Sequence, residues 1–117
     1  MIPLPPTRIV LVDDHALYRM GLRSTITAMD AQLNIIGECG SSSEFTLMLQ
    51  QKSIPDLVIL DICLPDESGI AIARRLKNEY PQIKIIMLSS EVSAETVSEL
   101  LEIDVEGYLS KMAQMTD

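Results

Sequence analysis

Asp56-Leu57-Val58-Ile59-Leu60-Asp61 sets four consecutive apolar residues between two aspartates, and its reading decides the fold. A strand with one face in water alternates apolar and polar residues. One that is apolar at every position fits a parallel sheet covered on both faces. Pro55 closes the helical pattern before it, and four residues are far too few to cross a bilayer. Working outward, Arg8-Ile9-Val10-Leu11-Val12 is a second such run, also followed by aspartates, and residues 83–88 are a third. Leu33-Asn34-Ile35-Ile36-Gly37-Glu38-Cys39 reads as a more exposed strand, and Glu106-Gly107-Tyr108-Leu109 as a last short one.

Between these runs the period changes to that of a helix. Leu17, Met20, Ile26 and Met29 recur close to the helical spacing, with Arg19 and Arg23 four apart on another face. Ser41-Ser42-Ser43 with Glu44 supplies capping chemistry ahead of Phe45, Leu47, Met48 and Leu49. Leu64-Pro65-Asp66-Glu67-Ser68-Gly69 is loop chemistry, followed at helical spacing by Ile70, Ala73, Leu76 and Lys77, up to Pro81. Ser93 with Thr96, Val97, Leu100 and Leu101 marks a further helix. Strands alternating with helices argue for an α/β fold whose right-handed crossovers place helices on both faces. Such crossovers collect every strand's carboxyl end along one edge, where ligands bind in open α/β sheets.

The bulk composition agrees. With 117 residues the chain is one domain, long enough to bury roughly two-thirds of its unfolded surface without disulfides or metals as staples. A net charge of −8 argues against a general polyanion binder. Cys39 and Cys63 fit no metal spacing and no disulfide framework, so reduced thiols in a cytoplasmic protein are expected. No apolar run reaches membrane-spanning length, and the start has neither the basic nor the long apolar region of a signal peptide. Residues 1–7, with three prolines, read as an extended lead-in, and 8–117 as the domain.

The residues that end the strands are Asp13 and Asp14, Asp61, Ser89 and Ser90, and Lys111. Three carboxylates brought together repel one another unless a cation sits among them. Hard oxygen ligands at an open edge suit Mg²⁺, which keeps several waters and usually accompanies phosphate. A carboxylate can then act as the nucleophile that takes up a phosphoryl group, with the cation and the lysine neutralising the transferring oxygens. Taken singly, each residue has a plainer use. An aspartate after a strand is as often a helix cap, a serine there is a turn or cap, and a lysine is a solvated charge. Tyr108 fits a core position, His15 a helix surface or packing contact without a second ligand at metal spacing, and the methionines core filling. The set is informative because its members arrive in order at corresponding strand ends.

On these residues the chain resembles the receiver (CheY-like) domains of bacterial two-component response regulators. The matching pieces are Leu11-Val12-Asp13-Asp14-His15, residues 56–61 with the loop 64–69, Ile85-Ile86-Met87-Leu88-Ser89-Ser90, and Gly107-Tyr108-Leu109-Ser110-Lys111. The resemblance runs from about Arg8 to Lys111, and Asp13-Asp14-His15 through Arg19-Met20-Gly21-Leu22, with the last piece, is similar to the LuxR/NarL-type subfamily. The resemblance implies a doubly wound, flavodoxin-like sheet of five parallel strands in the order 2-1-3-4-5. It implies that Asp61 accepts a phosphoryl group from a histidine kinase's phosphohistidine. Asp14 and Asp61 would bind Mg²⁺ directly, Asp13 through water, and the backbone carbonyl of Cys63 would complete the protein ligands. Ser89 and Lys111 would contact phosphoryl oxygens, and Tyr108 would turn toward the space Ser89 vacates as it moves inward. The protein would catalyse only its own phosphorylation and dephosphorylation. Its output would be transcriptional, through a helix-turn-helix domain that binds DNA beyond residue 117, with a homodimer as one possible form.

Three departures from the family pattern bear on these expectations. Met112 follows Lys111 where proline is common, often after a cis bond; a non-proline cis bond costs about 3 kcal/mol, so a trans bond is expected. Cys63 and Glu91 occupy positions that tune phosphoryl lifetime in the family. Residues 112–117 are too few for the fifth helix of the family, which suggests a fragment of a longer regulator. Two other readings stay open: a binding or dimerisation module with a degenerate pocket, and a phosphate-handling enzyme. Against the enzyme, Asp13-Asp14-His15-Ala16-Leu17 lacks both the glycines of a phosphate-cradling loop and an Asp-x-Asp pair.

Overall fold

The computed structural model describes residues 5–51, 53–90 and 93–111. Within them the order is β1 (Thr7–Val12), α1 (Ala16–Met29), β2 (Leu33–Cys39), α2 (Ser42–Gln50), β3 (Leu57–Asp61), α3 (Gly69–Glu79), β4 (Lys84–Ser89), α4 (Ala94–Ile103) and β5 (Gly107–Ser110). All strand pairs are parallel, in the order β2-β1-β3-β4-β5, as expected. The expectations on Glu91, Met112 and a fifth helix fall outside the described residues.

The apolar runs are continuous because they feed two cores at once. Side chains alternate along a strand. Val10, Val12, Val58, Leu60, Ile85 and Met87 therefore point to the face packed by Phe45, Leu49, Ile72, Leu76, Leu100 and Ile103 of α2, α3 and α4. Ile9, Leu11, Ile59 and Leu88 point the other way, onto Leu22 and Ile26 of α1. The floor of the sheet is pinned by Arg8 and Asp56: Arg8 N donates to Asp56 Oδ2 at 2.8 Å, and Asp56 N returns a bond to Arg8 O at 2.9 Å. Asp56 therefore anchors the entry to β3 instead of starting it.

The helix starts follow the expected chemistry in three of four cases. Ser41 accepts from Glu44 N, Ser68 from Ile70 N and Ser93 from Thr96 N. The start of α1 differs: His15 holds the cap position without a side-chain cap, and neither Asp13 nor Asp14 takes that role. The apolar reading of α1 is also corrected. Leu22 and Ile26, four apart, form its buried stripe, whereas Leu17, Met20 and Met29 are exposed because the helix covers the sheet with one narrow face. Core filling by methionine holds for buried Met87 and partly for Met48, and fails for Met20 and Met29.

Gly69 fixes the path of the loop after β3. Its N–H donates to Ile62 O at 2.7 Å, and a Cβ there would lie 2.1 Å from Asp61 O. The backbone of Asp61 has no room to retreat inside the sheet. Gly69→Ala is expected to cost about 1–3 kcal/mol, read as a lower urea midpoint at unchanged slope. An unchanged midpoint would contradict this close approach.

Candidate functional site

The register of β1 with β3 pairs Val12 with Leu60, so Asp13 and Asp61 emerge side by side at the carboxyl edge. Both are buried, at 0 % and 2 % exposure. Two carboxylates withdrawn from water next to each other need a counter-charge. It comes from Lys111, just past β5, whose Nζ lies 2.8 Å from Asp13 Oδ2 and 3.0 Å from Asp61 Oδ2. Lys111 N donates to Ser89 O at 2.8 Å, so the end of β4 sets where this side chain starts. Asp61 Oδ1 accepts from Cys63 N at 3.2 Å.

Around this core stand groups that the strand-end argument did not single out. His15 N donates to Asp13 Oδ1 at 2.8 Å, and its ring Nδ1 lies 3.2 Å from the same oxygen and 3.5 Å from Asp14 Oδ1. His15 is largely exposed, as a surface position would be, but the expectation that no second ligand-type residue lies near it is corrected. Ligand spacing along the chain could not show a cluster assembled from two strand ends. Tyr18, one turn into α1, places its ring under Lys111 Nζ at 4.6 Å. Arg19 donates to Asp13 O and, through Nε, to Glu38 Oε1 at 3.2 Å, which ties the first acidic loop to β2. No local signal marks Tyr18 or Arg19, because their partners lie elsewhere in the sequence.

The remaining expected residues are placed by register. Ser89 is buried and pairs with Ser110; Tyr108 pairs with Met87, is half-buried, and packs against the larger core. Ser89, Met87 and Tyr108 thus share the α4 side of the sheet. Cys63 sits in an isolated bridge with Ser68, and both cysteines are free thiols. The Cys39 thiol is pushed up to about 11, chiefly by burial, with the Glu44 charge adding to the rise.

The loop after Cys63 is held from outside. Asp66 accepts from Ser42 N at 2.9 Å and from Ser43 N at 3.0 Å, so a carboxylate from the β3–α3 loop satisfies the amino end of α2. Arg75 clamps Glu67 with bonds of 2.8 and 3.2 Å. The hydrogen bonds from Ser42 and Ser43 hold the Asp66 carboxyl below its ordinary value.

Comparison with known proteins settles the family. Residues 9–117 match the response regulator receiver domain. The chain belongs to that family. This receiver is 33 % identical over 104 residues to the transcriptional regulatory protein DegU of Brevibacillus brevis, covering 89 % of this chain and 43 % of that protein. A LuxR-family two-component response regulator from Aurantimonas sp. superposes with a TM-score of 0.80 at 26 % identity, covering 91 % of this chain and 74 % of that one. RcsB from Salmonella enterica serovar Typhimurium, solved bound to promoter rprA with the phosphomimetic BeF3−, gives a TM-score of 0.82 at 25 % identity. That match covers 90 % of this receiver and 59 % of RcsB. A LuxR-family regulator is thus among the receivers it resembles in fold, and the chain spans about half the length of the curated relatives it matches.

Burial is the largest influence on Asp61 and raises its carboxyl above the ordinary value of 3.8. Bonds from Lys111 and Cys63 N–H oppose the rise, and the Asp13 charge adds to it. Burial also works against the Lys111 ammonium, but its bonds to Asp13 and Asp61 outweigh that and keep it charged to higher pH than usual. With Asp61 raised in the fold, its ionised form costs stability at neutral pH. The cost disappears once pH falls below the unfolded value, where the carboxyl is neutral in both states. Asp61→Asn is therefore expected to unfold at higher urea than the parent at pH 7, with the gap closing as pH approaches 3.8. A gap that stays constant with pH would contradict the burial argument.

Proposed function

We propose that this receiver takes a phosphoryl group onto Asp61 from the phosphohistidine of a sensor kinase, assisted by Mg²⁺, and passes the change to a transcriptional output. The observation that carries the reading is the pair of buried carboxylates, Asp13 and Asp61, sharing one ammonium at the carboxyl edge of the sheet.

The residues fit a divalent cation. Asp13, Asp14, His15 and Asp61 each offer a ligand atom, all within 4.8 Å of one another. Three carboxylates against one ammonium leave two negative charges, which one divalent ion balances. Asp14 and Asp61 would hold it directly and Asp13 through water, with the carbonyl of Cys63 as a further oxygen. Bound there, it would neutralise charge on the transferring phosphoryl oxygens.

This chain's residues do the rest. An Asp61 oxygen attacks phosphorus as the bond to the kinase imidazole breaks, and the released imidazole takes a proton. Lys111, already 3.0 Å from Asp61 Oδ2, would turn its ammonium to a phosphoryl oxygen. Ser89 would donate its hydroxyl to another. Tyr108, on the same side of the sheet, would follow Ser89 inward, biasing two packings of the α4–β5 region. Water attack on the acyl phosphate would reset the switch, so the protein catalyses only its own phosphorylation and dephosphorylation.

The wider setting follows the relatives. Their roughly doubled length supports a helix-turn-helix domain beyond residue 117, and the RcsB complex with promoter DNA supports DNA as its partner. A homodimer could form through the α4–β5 side, where Leu101 is 75 % exposed. Free Cys39 and Cys63 suit the cytoplasm. No helix among the described residues is long and apolar enough to cross a membrane.

Incubation with Mg²⁺ and acetyl phosphate is expected to add one phosphoryl mass to the intact protein and none to Asp61→Asn. Addition to neither protein, or to both equally, would overturn the assignment.

A further inference from the structure

The phosphoryl chemistry proposed above would change most of what surrounds the Lys111 ammonium. Its Nζ lies 2.8 Å from Asp13 Oδ2 and 3.0 Å from Asp61 Oδ2. Asp61 would give an oxygen to phosphorus, and Asp13 would turn toward a cation. The ring of Tyr18, with its centroid 4.6 Å from Nζ, is a neighbour that neither event consumes.

That ring is held as a fixed wall. Tyr18 packs against the smaller core, beside the buried Leu11, Leu22 and Leu88. The first turn of α1, which carries it, is tied down by the next residue. Arg19 N donates to His15 O at 3.0 Å, and its side chain donates to Asp13 O and, through Nε, to Glu38 Oε1 of β2 at 3.2 Å. Lys111, by contrast, is a point charge on a flexible stem that starts where Lys111 N bonds Ser89 O.

We infer that the Tyr18 ring is a positioning residue for phosphoryl transfer: its face holds the Lys111 ammonium in the pocket while the carboxylates turn to other partners. The inference rests on the reading of Asp61 as the phosphoryl acceptor. A cation within about 6 Å of an aromatic centroid is drawn to the ring face, and more strongly when it is withdrawn from water. The Lys111 side chain is only 10 % exposed. A hydrogen bond fixes one direction, whereas a ring face attracts over a broad range of angles. The ammonium can therefore turn from Asp61 Oδ2 to a phosphoryl oxygen without leaving the ring. Burial lifts the Tyr18 phenol above its ordinary value of 10.0; the Lys111 charge opposes this, and the Asp13 and Asp61 charges add to it. Tyr18 thus meets the ammonium as a neutral ring, not as a phenolate.

The test is the rate at which acetyl phosphate passes its phosphoryl group to Asp61, with acetate leaving, followed by intact mass at saturating Mg²⁺. Position 18 carries tyrosine, phenylalanine, or phenylalanine with one, two or three ring fluorines placed by nonsense suppression. The fluorines drain negative charge from the ring face at nearly constant size, so a merely structural role would leave the rate unmoved. Tyr18→Phe is expected to react within about twofold of the parent, and each added fluorine to slow transfer further, to about three- to tenfold with three. A rate that does not change along the fluorine series, or a loss already complete in Tyr18→Phe, would overturn the role of the ring. A second readout needs no phosphodonor. The Lys111 ε-methylene protons are expected upfield of their ordinary position in the parent and in Tyr18→Phe, and back at it in Tyr18→Leu. Absence of that shift in a parent that is phosphorylated would overturn the role of Tyr18 alone. A parent that shows the shift but takes no phosphoryl group would overturn the Asp61 reading and this role with it.

Discussion

Two carboxylates lie out of water at the ends of adjacent strands, and a single ammonium from the far end of the chain makes that arrangement tolerable. Asp13 follows β1 and Asp61 closes β3, and Lys111 reaches both within 3.0 Å. A parallel sheet must deliver its strand ends to one edge, so the packing that buries Val12 and Leu60 also commits the residues beyond them to a shared pocket. The sheet order, the Gly69 close approach and the Asp66 staple to α2 all serve to hold that edge in register.

The electrostatics follow from this constraint. Burial lifts Asp61 and would neutralise Lys111, and their mutual bonds resist the second effect more fully than the first. A site in that condition carries surplus negative charge close to the surface. On the proposed reading it would receive a divalent cation and the three oxygens of a phosphoryl group, which together would redistribute the charge the ammonium now handles alone. Arg19 and Tyr18 confine the same region from the α1 side, one through the carbonyl of Asp13 and one beneath the ammonium.

Much of this was legible in the order of residues, for physical reasons. Strands buried on both faces leave no room for polar residues, so Leu57-Val58-Ile59-Leu60 announces its own environment. Serine caps at 41, 68 and 93 act within one turn and read locally. What stayed hidden depends on distant partners or on which stripe a helix buries. Asp56 looked like the start of a strand and instead pairs with Arg8. Met20 and Met29 matched the helical period yet face water, because α1 buries only Leu22 and Ile26. His15 looked isolated because its neighbours in space, Asp61 and Lys111, come from other strand ends.

The most direct measurement identifies the phosphorylated atom's residue. An aspartyl phosphate is reduced by borohydride to homoserine, which survives digestion and peptide sequencing. After phosphorylation with acetyl phosphate and Mg²⁺, homoserine is expected at position 61 and nowhere else. Homoserine at position 13 or 14, or an acid-stable phosphate on a hydroxyl such as Ser89, would contradict a pocket built around Asp61.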